Sequence, residues 1–462
     1  MKSYDLIIIG GGAGGFSSAI KANSIGAKTL LINDGLEIGG TCVNVGCVPS
    51  KTLIYISNII KKAKTFNFQI NYDFEEIMNY QQDVVENLRN KKYINVIKLL
   101  ENVDYIKGFA KFLNENEVEV NGEIFYGKKF IISTGSKVAV PNIEGIKDVH
   151  YLDHINVLKI KEIPKTIAII GGGYIGLEYG QFFNKMGSKV YILEAMDKIL
   201  PFAEQSIVKK LFEFLKKDGI EILTNVKVLK VEKKNKKVLT FILNNNEQSI
   251  EVDEIMIATW KIPNTKNLNL EKIGIKLNEK MAIVVDDYFR TSKEHIFAVG
   301  DVINKPLRLE TTAGYEGTIA TENALLNSFK TIDYKLVPWT IFTNPEFSSI
   351  GLTEKEAIEK YIKCYCRMID FENLAKLYIT KSHGAIKIVV NENYEILGIH
   401  ILSENASEVI NQGIFILKNK MKPQDVIETL PIFPSFSESI KLCALSFFMD
   451  IKKLPCCVWY RF

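Results

Sequence analysis

Short apolar runs that lead into glycines and then into a mixed apolar and polar stretch occur twice along the chain. In the first copy, Asp5–Ile9 predicts a buried strand, and the stretch after the glycines predicts a helix to about Ser24 and a strand over 28–32. Loops of the pattern Gly-x-Gly-x-x-Gly in a βαβ unit receive a dinucleotide pyrophosphate on backbone N–H groups and a helix N-terminus. We therefore expect Gly10, Gly12 and Gly15 at a phosphate site.

In such a unit, an acidic residue about 20 positions further on binds the ribose hydroxyls. The corresponding position here is Asn33, with Asp34 next to it. Because either side chain accepts a hydrogen bond, both are candidates for the ribose.

The second copy follows Pro164 and predicts a strand over 166–170, a helix to about Met186 and a strand over 190–193. Its loop places Gly171, Gly173 and Gly176 at the same spacing, and Glu194 is the candidate ribose ligand. The chain therefore predicts two dinucleotide sites.

Between the two copies lies a segment with two cysteines, Gly39-Gly40-Thr41-Cys42-Val43-Asn44-Val45-Gly46-Cys47-Val48-Pro49-Ser50-Lys51. A helix beginning near Pro49 would direct its positive end at Cys47 and favour the thiolate that dithiol exchange requires. The alternatives are two buried small side chains or half of a metal site. Zinc needs about four ligands, and no histidine or further cysteine is near in the chain.

Bulk properties exclude several classes of protein. A chain of 462 residues predicts about three domains, and a net charge of +4 without a basic arm gives no reason to expect a nucleic-acid partner. The N-terminal apolar core, Leu6–Ile9, is too short for a secretory signal, and no apolar run elsewhere is long enough to span a membrane. Seven scattered cysteines are not typical of an extracellular disulfide framework, so we expect a cytoplasmic protein.

The cysteine segment, together with the two glycine loops, resembles the pyridine nucleotide-disulfide oxidoreductases. Further matching positions are the strand end at Thr134-Gly135 and the Ala-Val-Gly-Asp segment that ends at Asp301. The resemblance implies an FAD cofactor contacted by these residues and by Thr41, Lys51 and Ala110, and a second cofactor, NADH or NADPH, at the second loop.

The resemblance also implies the roles of the reacting residues. Electrons would pass from the nicotinamide through the flavin to a Cys42–Cys47 disulfide, with Cys47 nearer the flavin. Tyr174 would cover the flavin until the nicotinamide enters, and Glu178 would pair with Lys51.

An α/β fold is therefore expected, with two Rossmann-like dinucleotide-binding domains and a C-terminal α+β dimerisation domain. The predicted limits are 1–148 and 268–334 for the FAD domain, 149–267 for the NAD(P) domain and 335–462 for the dimerisation domain. We expect a homodimer.

Two segments depart from the family pattern. Trp260 and Lys261 stand where the family has Gly-Arg, which bears on nicotinamide binding. Phe433 stands where disulfide-reducing members carry a histidine that protonates the departing thiolate. Phenylalanine cannot transfer a proton, and all five histidines of the chain precede this segment.

The C-terminus carries Cys456-Cys457, and its spacing resembles the tail of mercuric reductases, in which such a pair delivers Hg(II) to the dithiol of the other subunit. The resemblance implies a thiolate metal set of Cys42, Cys47, Cys456 and Cys457, soft ligands that suit a soft cation. The chain continues with Val458–Phe462 beyond the usual end. Reduction of thiol-bound Hg(II) is thus the main hypothesis; a reductase of small disulfides and a flavin-binding homologue without turnover are the alternatives.

Overall fold

The computed structural model describes residues 1–361 and 363–454. Its strands are, in chain order, β1 (Lys2–Ile9), β2 (Thr29–Asn33), β3 (Val103–Lys107), β4 (Ala110–Asn114), β5 (Glu117–Val120), β6 (Glu123–Ile132), β7 (Ser136–Val138), β8 (Thr166–Ile170), β9 (Lys189–Leu193), β10 (Glu221–Leu223), β11 (Lys227–Lys233), β12 (Lys237–Leu243), β13 (Asn246–Val252), β14 (Glu254–Ile257), β15 (Lys261–Pro263), β16 (Ile296–Ala298), β17 (Trp339–Ile341), β18 (Glu346–Gly351), β19 (Cys364–Asp370), β20 (Ala385–Asn391) and β21 (Ile396–Ser403).

The α-helices of the described residues are α1 (Ala13–Ile25), α2 (Gly40–Val45), α3 (Cys47–Thr65), α4 (Phe74–Arg89), α5 (Asn95–Ile97), α6 (Tyr174–Lys185), α7 (Gln205–Lys217), α8 (Glu310–Leu326), α9 (Glu354–Lys360), α10 (Ala375–Thr380), α11 (Ala406–Val409), α12 (Asn411–Lys418), α13 (Pro423–Ile427) and α14 (Glu438–Leu445). Among them, none is both long and apolar enough to span a membrane.

The first glycine loop belongs to a sheet with strand order β3-β2-β1-β6-β5-β4, in which β16 also pairs with β6. Strands β1, β2, β3, β6 and β16 run parallel, and the apolar residues of β1 are fully buried from Leu6 to Ile8. Parallel strands covered on both faces read as continuous apolar runs, which explains the pattern in the sequence.

The second glycine loop belongs to a parallel sheet of order β10-β9-β8-β14, beside which β11, β12 and β13 form an antiparallel sheet. Strand β15 forms a short antiparallel pair with β7, the strand that follows β6. The C-terminal part forms an antiparallel sheet of order β17-β18-β21-β20-β19. The α/β fold with two parallel βαβ units and a C-terminal α+β part is confirmed.

Two helical boundaries differ from the sequence prediction. Helix α3 begins at Cys47 rather than near Pro49, so Cys47 itself is the first residue of the helix. The largely polar sequence from Phe74 to Leu100 also predicts one continuous helix, but the structure interrupts it: α4 ends at Arg89, and a π-helical turn, Asn90–Ile94, precedes α5. Aromatic packing of Tyr93 on Phe16 accompanies this turn, with ring centroids 4.8 Å apart.

A buried ionic cluster joins the second βαβ unit to the C-terminal sheet. The Lys387 ammonium on β20 lies 2.8 Å from Glu204 Oε1 and 2.6 Å from Glu354 Oε2, and the side chains of Lys387 and Glu204 are only 4% and 5% exposed. Burial alone would raise the pKa of Glu204, but hydrogen bonds from Lys387, the Glu354 amide and Ser206 lower it to about 2. The carboxylate is thus ionised because its partners are in place.

We predict that Lys387→Met destabilises the protein by about 3 kcal/mol, because removal of one partner leaves a buried charge uncompensated. Urea unfolding at pH 7 measures the effect, with Lys355→Met as the control, since the Lys355 side chain is 86% exposed. Equal losses in the two variants would contradict the role of the buried cluster.

The same cluster predicts a pH dependence. The pKa of Glu204 is lower in the folded than in the unfolded protein, so its contribution is present above its unfolded value and is lost as pH falls toward about 2. The stability difference between the parent and Glu204→Gln should therefore shrink between pH 5 and pH 2 in thermal unfolding. A difference that stays constant over this interval would show that Glu204 is not responsible.

Candidate functional site

The first glycine loop brings backbone against backbone at the N-terminus of α1. Gly10 has φ +112°, and a Cβ on Gly15 would lie 1.8 Å from the Gly10 carbonyl oxygen. No side chain caps α1, and its first turn contains no acidic residue. The free N–H groups and the positive end of the helix therefore suit an anion such as a pyrophosphate.

Asn33 and Asp34, the two ribose candidates of this unit, are placed differently. Asn33 is the last residue of β2 and is buried, and its Oδ1 accepts a hydrogen bond of 3.0 Å from the Gly11 amide. Asp34 is exposed just beyond the strand. Asn33 thus supports the loop, and Asp34 is the more accessible acceptor.

The second loop repeats this geometry. A Cβ on Gly176 would lie 2.0 Å from the Gly171 carbonyl oxygen, and α6 also begins without a side-chain cap or an acidic first turn. Gly173 is the N-cap residue of α6 and has open space around its Cβ position. Glu194 Oε2 accepts a hydrogen bond of 2.6 Å from the Gly172 amide, the contact that Asn33 makes in the first unit.

The strand end after β6 is tied to a distant part of the chain. Thr134 Oγ1 donates to the Asn264 carbonyl at 2.8 Å, and the Asn264 side-chain amide donates back to the Thr134 carbonyl at 3.0 Å. Gly135 follows with φ +68°. These mutual contacts hold the Thr134-Gly135 turn in place.

Asp301 lies next to this turn, in the segment that follows β16. Ser136 Oγ donates to Asp301 Oδ2 at 2.6 Å, and the buried Glu316 accepts from the Gly300 amide at 2.7 Å. Asp301 is therefore fixed from two sides at the carboxyl end of the first sheet, where ligands bind in open α/β sheets.

The two cysteines lie at consecutive helix starts, Cys42 in α2 and Cys47 at the first position of α3. Both are free thiols, and Cys47 is exposed. The Cys42 thiol donates to Glu310 Oε2 at 2.5 Å, and the two sulfurs and a Glu310 oxygen all lie within 4.8 Å of one another. Thr41 precedes Cys42 in α2, whereas Ala110 is buried at the start of β4.

The thiols have opposite electrostatic environments. The interaction with Cys42 and the positive charge of Lys51 hold the pKa of Cys47 below its ordinary value. The pKa of Cys42 is raised, first by the neighbouring Cys47, then by burial and by Glu310. Cys47 therefore ionises before Cys42.

Lys51 is held by Glu178 of α6, with Nζ 2.6 Å from Oε2. The Glu178 side chain is only 4% exposed, and its Oε1 accepts a hydrogen bond of 2.9 Å from the Phe342 amide. Lys51 Nζ also lies 4.9 Å from the centre of the Phe342 ring. The pairing of Lys51 with Glu178 that the resemblance implied is present.

Tyr174 and Trp260 flank the second loop. Tyr174 is the first residue of α6 and is 43% exposed, so that its ring is open to a ligand. Trp260 follows β14 and is 63% exposed. Lys261 is the first residue of β15, and β15 still pairs with β7 beside Trp260. The departure from the family pattern at these two positions therefore does not alter the fold.

Family models match most of the sequence that builds this site. The pyridine nucleotide-disulphide oxidoreductase model matches residues 4–317, and the dimerisation-domain model of the same family matches residues 337–444. The chain belongs to the pyridine nucleotide-disulphide oxidoreductases.

Individual relatives are named for different activities. A mercuric reductase of Lysinibacillus sphaericus is 37% identical over 98% of this chain and 84% of its own length, and a mitochondrial dihydrolipoyl dehydrogenase of Pisum sativum is 33% identical over 96% and 91%. Among solved structures, the Cu(II) complex of the HOCl-induced flavoprotein disulfide reductase RclA from Escherichia coli has a TM-score of 0.87, with 29% identity over 97% of this chain and 100% of that one.

Members of this oxidoreductase family bind FAD and NAD(P)H, and the residues present fit both cofactors. The N-termini of α1 and α6 lack side-chain caps and acidic residues in the first turn. Each helix follows a glycine loop that has no room for a Cβ at its last glycine. Residues that would hold FAD are Gly10, Gly12, Gly15, Asp34 and Asp301; those that would hold the nicotinamide dinucleotide are Gly171, Gly173, Gly176 and Glu194.

The structure brings residues to the site that the sequence did not indicate. Cys456 and Cys457 lie outside the described residues. Glu310, Phe342 and Glu316 were not among the predicted site residues, although Glu310 touches Cys42 and Phe342 touches the Lys51–Glu178 pair. Glu310 begins the helix that follows the Gly-Asp segment, and no sequence pattern marks it as a partner of Cys42.

We predict that the holoenzyme reduced by two electrons shows a thiolate–flavin charge-transfer band, and that Cys47→Ala abolishes it together with turnover. The reason is that Cys47 has the lowered pKa of the two thiols and so ionises more readily. Visible spectra under anaerobic conditions measure the band, and full reductase activity of Cys47→Ala would refute the assignment.

Lys51→Met should shift the pH midpoint of this band upward. A thiolate exists above its pKa, and removal of the positive charge that lowers the Cys47 pKa moves that range to higher pH. Lys61→Met is the matched control, because Lys61 lies on the same helix and pairs instead with Asp218 at 3.3 Å. The same midpoint in both variants would mean that Lys51 does not stabilise the thiolate.

Proposed function

We propose that this protein reduces Hg(II) to Hg(0) with electrons from NAD(P)H. The observation that carries the proposal is the accessible pair of free cysteines, in which Cys47 is the more readily ionised, combined with phenylalanine in place of the histidine that disulfide reduction employs. Likeness to mercuric reductases over 98% of the chain supports it.

A two-electron reduction of a metal ion makes modest demands on proton transfer. An organic disulfide leaves as two thiolates that need protons, whereas Hg(II) that accepts two electrons leaves as a neutral atom. Phenylalanine at position 433 therefore removes no proton donor that the reduction of Hg(II) requires. Soft thiolates also select a soft cation over hard ions.

In this proposal, each residue of the site has a defined task. Bound FAD would supply the transfer of electrons from NAD(P)H toward the dithiol. Cys42 and Cys47 hold Hg(II) as thiolates, Lys51 compensates their charge, and Glu178 orients Lys51. Tyr174, which is 43% exposed at the start of α6, would cover the flavin until the nicotinamide enters.

The C-terminal pair Cys456-Cys457 delivers the metal in this scheme. Members of the family carry a dimerisation domain, which matches residues 337–444 of this chain. Exposed apolar side chains in the C-terminal part, such as Leu430 at 72% and Ile432 at 81%, suit a homodimer that covers them. The tail of one subunit would then serve the dithiol of the other.

We predict that replacing both Cys456 and Cys457 by Ala depresses NADH oxidation driven by thiol-complexed Hg(II), while NADH still reduces the flavin. Stopped-flow flavin spectra and Hg(0) release measure the two steps separately. Equal turnover in parent and variant would show that the vicinal pair is incidental, and truncation of Val458–Phe462 would then test the rest of the tail.

Hybrid dimers provide a sharper test of delivery between subunits. A Cys456/Cys457 double variant mixed with a Cys42/Cys47 double variant should regain activity that neither has alone, because one complete site survives per hybrid. Activity should approach a quarter of the parent value on random exchange of equal amounts, as about half the dimers are hybrids with one site each. No recovery after verified subunit exchange would place the tail on its own subunit's dithiol or outside the reaction.

A second candidate function is the reduction of a small disulfide, and Glu310 favours it. Its carboxylate accepts a hydrogen bond from Cys42 Sγ at 2.5 Å, so it occupies the position of an acid–base group for the outer thiol. With glutathione disulfide, lipoamide and thiol-bound Hg(II) as parallel substrates, turnover only on disulfides would favour this second function. Flavin that NADH does not reduce would instead indicate a homologue without turnover.

We predict a preference for NADH over NADPH. The Glu194 carboxylate, fixed by the amides of Gly172 and Met196, accepts hydrogen bonds from a ribose 2′-OH but repels a 2′-phosphate. Glu194→Gln should reduce the ratio of kcat/KM values by about tenfold, or about 1.4 kcal/mol. Glu221→Gln, on the exposed face of β10, is the charge-matched control. A parent enzyme with higher kcat/KM for NADPH would contradict the argument.

A further inference from the structure

Glu310 lies beside the two thiols although it is far from them in the sequence. Its oxygen and both sulfurs lie within 4.8 Å of one another. In the described residues this is the one group of three or more metal-ligating side chains at such distances. The carboxylate is exposed, so an ion from solvent reaches it without displacing other side chains.

Packing of α8 on α1 fixes the position of Glu310. Glu310 is the first residue of α8, and α8 lies so close to α1 that a Cβ on Gly317 would be 2.1 Å from the Gly14 carbonyl oxygen. Ser18 Oγ, on α1, is 3.1 Å from the Gly317 carbonyl and donates to it. The carboxylate therefore comes from a helix whose position is set independently of the cysteine loop.

The donor types suit a borderline divalent ion, and the donors lie near the spacing that such an ion imposes. Zinc binds Cys sulfur at about 2.3 Å and carboxylate oxygen at about 2.0–2.2 Å, and three protein ligands with one water form an open tetrahedral site. Ligand atoms around such an ion lie roughly 3–4 Å apart by the same geometry. Hg(II), by contrast, is satisfied by two thiolates alone and does not require the carboxylate.

We infer that the reduced Cys42–Cys47 pair and Glu310 form a three-donor site for a divalent cation of the Zn(II) and Cd(II) class, and that occupancy blocks turnover. Binding forms two metal–sulfur bonds and one metal–oxygen bond, releases thiol protons to solvent and moves no electrons. A dithiol held in this way cannot pass electrons to a substrate. Oxidation of the pair to a disulfide removes both sulfur ligands, so the site exists only in the reduced protein.

The test measures metal binding in the Cys456→Ala/Cys457→Ala background, because tail thiols are themselves Cd(II) ligands. Anaerobic holoprotein is reduced with a phosphine, which is then removed by gel filtration. Cd(II) is titrated by its thiolate charge-transfer absorption in the ultraviolet, and Zn(II) by competition with a chromogenic chelator. We expect one tightly bound ion per chain in the reduced protein and none at this site in the oxidised protein.

Glu310→Gln should weaken Cd(II) and Zn(II) binding at least tenfold, since loss even of a residue that only supports a ligand costs about 10–100-fold. Hg(II) affinity should stay the same in this variant. Glu37→Gln is the matched control, because Glu37 is an exposed acid near the same loop that pairs with Lys107 at 3.2 Å. Glu310→Asp repeats the test with a shorter carboxylate, and FAD content reports that each variant is folded.

Inhibition gives a second measurement. Zn(II) should inhibit NADH oxidation by the parent, EDTA should restore it, and the inhibitory concentration should rise at least tenfold in Glu310→Gln relative to its own uninhibited rate. Equal Cd(II) affinity in parent and Glu310→Gln, or equal binding to oxidised protein, would overturn the inference. Because binding is measured without Hg(II) turnover, these results do not depend on whether Hg(II) is the substrate.

Discussion

The buried carboxylate of Glu178 is the contact on which the arrangement of the site depends. A charge that is 4% exposed is costly unless it is paired and hydrogen-bonded, and Glu178 meets this requirement with partners from two other parts of the chain. Lys51 arrives from the helix that begins with the reactive cysteine, and the Phe342 amide arrives from the end of β17. The redox helix, the second βαβ unit and the C-terminal part are thereby fixed at one point.

This contact also acts on the chemistry. The pKa of Cys47 is lowered first by Cys42 and then by Lys51, and Glu178 holds Lys51 in position, so a carboxylate that touches neither sulfur contributes to which sulfur ionises first. The helix start adds to the effect, because α3 begins at Cys47 and presents its positive end to that thiol. Both effects favour a thiolate at Cys47 over one at Cys42.

Local patterns were enough to predict the two βαβ units. Strand β8 has the predicted bounds and β1 extends the predicted strand by three residues, because buried parallel strands leave an unmistakable apolar run before each glycine loop. The break after Arg89 could not be predicted in this way. It coincides with packing of Tyr93 on Phe16, a contact between residues far apart in the sequence.

The same limit applies to the site. Asn33, Glu178 and Lys51 were predicted because motif spacing or family likeness identifies them, and Asn33 and Glu194 make the same contact in their respective loops. Glu310 lies 268 positions after Cys42 and reaches it only through the packing of α8 on α1. No pattern along the chain encodes that distance. The domain limits and the cytoplasmic location remain predictions.

The charges beside the dithiol bear on the choice between the proposed substrates. Lys51 lies 2.6 Å from Glu178 and also lowers the pKa of Cys47, so one cation interacts with both groups. Glu310 adds an exposed carboxylate, which accepts a hydrogen bond from the Cys42 thiol at 2.5 Å. A carboxylate oxygen and two sulfurs this close together suit a cation, whereas an anionic disulfide would meet the carboxylate as a like charge. These neighbours therefore favour a metal ion over an anionic disulfide such as that of glutathione and do not discriminate against a neutral one such as lipoamide.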